Sequence, residues 1–173
     1  MANNHTAGAA ARTFAPSELC QRMLAKTSKG TCGPCILYLE DGTIFYGRAC
    51  GAGGTATGEV CFNTSLEGYF EVMTDPSYAG QIVTMTYPQI GNYGIDETDV
   101  QSAFPGDAVR PASAPAMRGM IVRDMCATPS NWRSAVSVPE YLRAHGIVAI
   151  EGVDTRALVR HLRDNGSKMG IIS

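Results

Sequence analysis

The second half of the chain alternates between short apolar runs and segments bounded by helix-capping residues. Residues 119–123 are expected to form a buried strand, and another strand is expected to begin at Met169. Residues 147–150 are a short, continuously apolar run, typical of a strand buried on both faces. Between these runs lie two segments that carry the start and stop signals of helices. The order strand–helix–strand–helix–strand predicts a parallel or mixed sheet for this part of the molecule.

The two predicted helices are defined by their ends. Ser137-Val138-Pro139-Glu140 forms a capping box with proline in the first turn, and the helix continues to Gly146. Asp154 is expected to cap a second helix over 155–165, with Gly166 as its stop.

The first half of the globular region is rich in hairpin signals. Alternating runs at 36–40 and 43–49 flank Asp41-Gly42, which is the strongest short turn signal for a β-hairpin. Further strands are predicted at 60–62 and 82–87, because these residues are β-branched or aromatic and are bounded by turn residues. The sequence therefore predicts a mixed α/β domain, hairpin-rich first and strand–helix–strand later, with helices to one side.

Residues 1–34 differ in composition from the rest of the chain. They are rich in Ala, Ser and Thr, and Glu18 is their only acid. This composition is compatible with an organellar transit peptide or with a tail that has no targeting role. We expect one domain over 35–173, preceded by this extension, which we predict to be disordered or targeting-like.

Composition excludes several classes of function. The formal net charge is −2, there is one Trp, and no basic patch is interleaved with aromatics, so we expect no nucleic-acid partner. No apolar run approaches the roughly 20 residues of a membrane span. Six Cys without regular spacing and no secretory signal favour a cytoplasmic protein with reduced thiols, or a mitochondrial one if residues 1–34 are a transit peptide.

Cys32-Gly33-Pro34-Cys35 matches the thioredoxin redox motif. That motif works because a helix N-terminus lowers the pKa of the first thiol. Here a strand follows the four residues, and the other Cys and His show no zinc-ligand spacing. A thiol oxidoreductase is kept only as an alternative, which predicts fast alkylation of Cys32.

Residues 51–58 contain a G-x-G-x-x-A pattern after a strand, as in dinucleotide-binding loops. Such a loop must be followed by a helix, whose N–H groups hold the pyrophosphate. A strand follows here, so these glycines are interpreted as a crossover without phosphate binding.

The connection over 63–78 is longer and more polar than a hairpin loop requires. Within it, Asp75 can cap a tight turn whose first position is Pro76, and such a turn would fix the Ser77 hydroxyl near the entry to the next strand. From these residues alone, a purely structural turn remains an alternative.

Several long stretches together resemble one known family. They are FNTSLEGYFEVMTDPSY followed by QIVTMTYPQIGNYG, with LYLEDGTIFYGRACGAGGTATGEV at 37–60 and HGIVAIEGVDTRALVRHLRDNGS at 145–167. These stretches cover roughly residues 35–173 and resemble the N-terminal domain of the small (glutaminase) subunit of carbamoyl phosphate synthetase. The motifs at 91–94, 128–132 and 152–156 look more like the eukaryotic fused forms.

The resemblance implies a swivelling β/β/α domain in a glutamine-dependent ligase. That enzyme makes carbamoyl phosphate from glutamine, bicarbonate and two ATP, for pyrimidine or arginine synthesis, and ammonia passes from the small to the large subunit. The implied partners are the glutaminase domain and the large synthetase subunit, which uses Mg-ATP; no cofactor is expected in this domain.

Catalysis by this chain alone is not expected. A glutaminase needs a nucleophilic Cys on a strained elbow, a His within reach and an acidic residue that orients the His. The sequence offers no such set, so we predict no catalytic residue and interpret the chain as the N-terminal portion of a longer protein. A stand-alone binding or scaffold module without catalysis is the alternative.

The resemblance assigns roles to individual positions. It implies that Ser77 contacts the substrate glutamine, with Thr74, Asp75 and Tyr78 positioning it. Three of the predicted interface contacts are arginines of one helix, and the alternative for these three is a solvated helix face. The predicted contacts with the synthetase part are Asn63, Glu67, Tyr69, Arg156, Arg160 and Arg163.

Overall fold

The computed structural model describes residues 33–95, 115–130 and 136–173. Within these ranges the chain forms nine β-strands, three α-helices and one 3₁₀ turn. The strands are β1 (Pro34–Leu39), β2 (Ile44–Ala49), β3 (Ala56–Asn63), β4 (Ile82–Met85), β5 (Gln89–Ile90), β6 (Gly119–Ile121), β7 (Asp124–Met125), β8 (Val148–Glu151) and β9 (Lys168–Ile172). The helices are α1 (Tyr69–Thr74), α2 (Val138–Ala144) and α3 (Thr155–Asn165), and the 3₁₀ turn is Pro76–Tyr78.

Seven strands close into a barrel in the order β1-β2-β8-β6-β4-β3-β9, and β5 and β7 form a small parallel pair beside it. Strands β3, β4, β6 and β8 run parallel to one another, whereas β1, β2 and β9 join them through antiparallel pairs. The mixed α/β prediction is confirmed at this level. Closure of the sheet was not predicted. The helices also do not share one side, since α1 and α2 pack against one core cluster and α3 against the other.

The hairpin predicted at Asp41-Gly42 is confirmed. Strands β1 and β2 pair up to Tyr38 and Ile44, and Gly42 adopts a positive φ of 89°. The Asp41 carboxylate accepts the Thr43 N–H at 3.0 Å and lies 2.6 Å from His161 Nε2 on α3. The hydrogen bond from Thr43, and to a smaller extent that from His161, lowers the pKa of Asp41 to about 2.

The predicted helix caps are also present. The Glu140 carboxylate accepts the Ser137 N–H at 3.3 Å and its hydroxyl at 2.7 Å, which forms the capping box of α2. The Asp154 carboxylate accepts the Ala157 N–H at 2.9 Å and so satisfies a free donor at the start of α3. Both helices therefore begin where their capping residues indicate.

The core has two parts. One cluster takes members from β1, β3, β4, β6, β8 and β9 and includes Leu158 and Leu162 of α3. The other lies on the opposite face of β4, β6 and β8, where α1 and α2 pack. The alternation of Ile82 and Val83 between the two clusters follows the two-residue period of a strand.

Some predicted boundaries were wrong. Strand β4 ends at Met85 and not at residue 87, and α1 occupies part of the connection that was expected to be a polar loop. The extension over residues 1–34 lies outside the described residues except for its last two positions. The division of the chain at residue 35 remains a prediction.

Candidate functional site

The turn that carries Ser77 is held by its own backbone and by Asp75. The Asp75 carboxylate accepts the Ser77 N–H at 2.8 Å, and the Ala79 N–H donates to the Pro76 carbonyl at 3.0 Å. Pro76 occupies the first turn, as predicted. The Ser77 side chain is exposed, and its hydroxyl forms no hydrogen bond with a described residue. The turn therefore exposes a hydroxyl that can form hydrogen bonds with a ligand.

Tyr78 connects the turn to the end of β3. The Asn63 side chain donates through Nδ2 to the Tyr78 hydroxyl at 2.9 Å and accepts the Ser65 N–H through Oδ1 at 2.7 Å. Tyr78 therefore ties the turn that carries Ser77 to β3, and its role in positioning Ser77 remains a prediction. Asn63, proposed from sequence as an interface contact, uses its side chain inside the domain.

Thr74 supports the turn only indirectly. It is 2% exposed, and its hydroxyl donates to the Phe70 carbonyl of its own helix at 3.1 Å. This bond closes the last turn of α1, from which the chain enters the 3₁₀ turn. The structure gives Thr74 a role in the packing of α1 and no contact with Ser77.

Tyr69 must be corrected as an interface candidate. Only 3% of it is exposed, its ring stacks on Tyr93 with centroids 4.1 Å apart, and its hydroxyl donates to the Gly94 carbonyl at 2.6 Å. Burial raises the pKa of Tyr69, which keeps the hydroxyl neutral. The side chain belongs to the core because Tyr93, whose hydroxyl accepts the Gly68 N–H at 2.9 Å, covers it.

Glu67 remains exposed beside an open cleft of about 570 Å³. Glu71, Tyr87 and Tyr93 also line this cleft. The side chain of Glu67 is therefore accessible, and its role as an interface contact remains a prediction.

The three predicted arginines lie together on α3 and share a larger cleft. Arg156, Arg160 and Arg163 line a cavity of about 700 Å³, together with Arg123, which sequence reasoning missed. Arg123 follows β6, and its carbonyl accepts the Gly152 N–H between β8 and α3 at 3.0 Å, so the pairing of β6 with β8 brings it beside α3. We call this region the arginine cleft; its lining residues are Thr64, Thr86, Pro88, Arg123, Thr155, Arg156, Val159, Arg160, Arg163 and Asp164.

Two of the described cysteines, Cys35 and Cys61, do not have the environment of reactive thiols. Cys35 is buried within β1, and burial raises the pKa of its thiol. Burial likewise raises the pKa of Cys61 to about 11. The thiolate is the reactive form, so these thiols are poorly suited to redox or nucleophilic chemistry at neutral pH. Cys32, the other half of the redox motif, lies outside the described residues.

Two further features are absent from the described residues. No group of three or more His, Cys, Asp or Glu side chains there could hold a metal ion. None of the helices there is long and apolar enough to cross a membrane.

Residues 37–172 match the family model described as the carbamoyl-phosphate synthase small chain, CPSase domain. The chain belongs to this family. Carbamoyl phosphate synthase small chains from Syntrophotalea carbinolica and Solidesulfovibrio magneticus are 56% and 54% identical to it over 138 residues, which cover 80% of this chain and 34% of each relative. The chain therefore spans about a third of the length of the curated relatives it matches.

A solved structure titled as a Peptidase M28 precursor from Shewanella amazonensis covers 90% of this chain and 39% of its own length. Its TM-score of 0.39 and sequence identity of 10% carry no argument about fold or function.

Family membership confirms the resemblance drawn from the motifs. The relatives named above are bacterial small chains, and the expected similarity to eukaryotic fused forms stays a prediction. The roles of Ser77 and of the arginine cleft are not decided by the match.

Proposed function

We propose that this chain is the N-terminal docking domain of glutamine-dependent carbamoyl phosphate synthase. The full enzyme would make carbamoyl phosphate from glutamine, bicarbonate and two ATP. Family membership over residues 37–172 supports this proposal. The mixed barrel is compatible with the swivelling β/β/α type of domain that we propose for it.

The proposal includes parts that lie outside this chain. A glutaminase part would follow residue 173, and a synthetase part would use Mg-ATP and receive the ammonia. We propose no cofactor for the present domain and no catalytic residue in it. We keep the cytoplasm as the predicted compartment, with mitochondria as the alternative, and either pyrimidine or arginine synthesis as the pathway.

The observation that carries the role of Ser77 is the position of its turn on the barrel. The turn leads into the amino end of β4, where the Gln81 side chain donates to Glu59 at 3.0 Å. The chain also ends at this end of the barrel, because the Ser173 hydroxyl lies 3.2 Å from Thr55 Oγ1, directly before β3. Ala79 and Gly80, directly after the turn, line one cleft together with Thr55 and Thr57, so a segment that follows Ser173 begins close to the residues that follow Ser77.

The chemistry of Ser77 suits binding and not nucleophilic attack. A hydroxyl can donate one hydrogen bond and accept others, which fits the polar groups of an amino-acid substrate. A nucleophilic Ser needs an adjacent general base, and the Ser77 hydroxyl has no hydrogen bond to a His or carboxylate among the described residues. We therefore assign Ser77 to the glutamine pocket, held in place by Asp75 and Tyr78.

The test is Ser77→Ala in the complete enzyme, assayed with glutamine and with ammonia as the nitrogen source. We expect glutamine-dependent kcat/KM to fall about tenfold, as for the loss of one hydrogen bond to a polar substrate, with ammonia-dependent synthesis unchanged. Ser65→Ala is the matched control, because Ser65 is also exposed and also donates its N–H to a side chain two residues earlier.

Equal glutamine-dependent activity in wild type and Ser77→Ala would reduce the turn to a structural role. A stand-alone scaffold module, the alternative function, predicts that the wild-type protein neither binds a synthetase part nor supports glutamine-dependent synthesis.

A further inference from the structure

The arginine cleft concentrates positive charge on a chain whose formal net charge is −2. Four arginines and one aspartate line it, and all four arginines are exposed. The ion pairs found among the described residues join Arg48 to Glu151 and His161 to Asp41, so none of them neutralises a cleft arginine. Such a concentration of one sign of charge attracts and orients an oppositely charged partner.

The spacing of the arginines indicates what kind of anion fits. Arg156, Arg160 and Arg163 recur at i, i+4 and i+7, so they follow one face of α3 over two turns, about 10 Å. A row of this length matches several carboxylates on a polypeptide better than one small anion held by converging groups. Each guanidinium can grip a carboxylate through two parallel N–H bonds.

The start of α3 does not offer a separate phosphate site. A free helix N-terminus binds phosphate through its unpaired N–H groups. Here the Asp154 carboxylate already accepts the Ala157 N–H at 2.9 Å and places a negative charge at that end. Binding in the cleft therefore depends on the arginine side chains.

The position of the cleft indicates which partner reaches it. Thr64, Thr86 and Arg123 follow β3, β4 and β6, so the cleft lies beyond the carboxyl ends of these parallel strands. Ser173 lies at the amino end of β3, on the other side of the barrel, because its hydroxyl is 3.2 Å from Thr55 Oγ1. A glutaminase part that follows Ser173 therefore begins at the end remote from the cleft.

We propose that the arginine cleft is the docking site for an acidic segment of the synthetase part of the enzyme. This inference rests on the proposed function, because it takes the synthetase part to be the partner of this domain. The cleft arginines bind carboxylates of that segment, and the Thr64 and Thr86 hydroxyls lie at the edge of the contact.

The test uses the complete small chain and the synthetase part, with the double variant Arg156→Glu/Arg160→Glu. We expect the Kd to rise at least about tenfold at ~0.1 M salt, with a shallower dependence of affinity on salt, because attractive charge pairs become repulsive. Glutamine hydrolysed per carbamoyl phosphate formed should rise as the two parts uncouple. Arg143→Glu, on the exposed face of α2 and outside the cleft, is the control and should change Kd less than about twofold.

The outcomes separate this inference from the proposed function. If wild type does not bind the synthetase part, both fail. If wild type binds and the double variant binds equally well, or if Arg143→Glu weakens binding as much, only the cleft assignment fails. Folding is checked by the Tm of each complete small chain alone.

Other occupants of the cleft would give different results. Slower glutamine hydrolysis by the double variant in the isolated small chain, with an unchanged Tm, would place the glutaminase part in the cleft and overturn the proposal. A rise in the wild-type Tm with inorganic phosphate, absent in the double variant and with synthetase binding unchanged in that variant, would assign the cleft to a small anion instead.

Discussion

At the scale of single residues, the ion pair between Arg48 and Glu151 determines how part of the barrel responds to pH. The two side chains lie 2.5 Å apart and are 17% and 12% exposed. The second carboxylate oxygen of Glu151 accepts the Met125 N–H at 3.3 Å. Burial raises the pKa of Glu151, and the charge of Arg48 opposes that rise. Charged Glu151 is therefore tolerated because Arg48 is beside it.

Arg48→Met should lower the free energy of unfolding by about 3 kcal/mol at pH 7, because it leaves a buried carboxylate without its partner. The pKa of Glu151 then rises further, so the folded state binds a proton before the unfolded state does. Proton uptake by Glu151 stabilises the folded variant at low pH, and this stabilisation is lost as the pH rises through the folded-state pKa of Glu151. The stability deficit of Arg48→Met should therefore shrink as the pH falls from 7 to 5. Urea unfolding at several pH values measures this.

Arg48→Met/Glu151→Gln is the companion variant. Glutamine removes the unpaired negative charge at position 151, and its side-chain oxygen can still accept the Met125 N–H. It should recover part of the lost stability at pH 7. A deficit of Arg48→Met that is the same at pH 5 and pH 7 would show that lost packing, and not the charge of Glu151, is responsible.

At the scale of elements, the Ser77 turn is held against β3 by a close backbone contact. A methyl group added at Gly58 would lie 2.4 Å from the Gly80 carbonyl oxygen, directly after the turn. That distance is too short for any carbon–oxygen contact, so a side chain at Gly58 would push the turn away from the barrel.

Gly58→Ala should therefore cost about 1–3 kcal/mol of stability and lower glutamine-dependent activity more than ammonia-dependent activity. Thermal unfolding and the paired assays measure the two effects. Gly53→Ala is the control, because a methyl group there meets nothing within 4 Å. If Gly58→Ala changes neither stability nor the ratio of the two activities, the contact does not hold the turn.

The sequence predicted the elements whose signals are local. Asp41-Gly42 set the hairpin, and Ser137 and Asp154 set the starts of their helices, because turn and cap preferences act within a few residues. The short helix α1 was missed because six residues show too little periodicity. Tyr69 was taken as a surface residue because its burial depends on Tyr93.

At the scale of the whole molecule, closure of the barrel could not be predicted from local pattern. Strand β9 lies between β1 and β3, and a methyl group at Gly170 would meet Val60 Cγ2 at 2.5 Å, so this register depends on residues far apart in the chain. Arg123 could not be assigned to the arginine cleft from sequence, because its place beside α3 depends on the pairing of β6 with β8. The Ser77 turn was located from sequence, whereas its place on the barrel depends on the pairing of β3 with β4.

The closed barrel gives the domain two functional ends. Ser173 lies at the amino end of β3 and the Ser77 turn leads into the amino end of β4, whereas the arginine cleft lies beyond the carboxyl ends of both strands. The Tyr78 hydroxyl, which accepts from Asn63, extends along β3 from the turn. In this account, one end completes the glutamine pocket and the other holds the synthetase part.

Hydrogen exchange of the complete small chain, alone, with glutamine and with the synthetase part, tests this division most directly. Glutamine should slow exchange in peptides that cover Asp75–Gly80, and the synthetase part should slow exchange in peptides that cover α3, because bound surfaces open less often. Protection of both segments by the same partner, or of neither, would contradict the account.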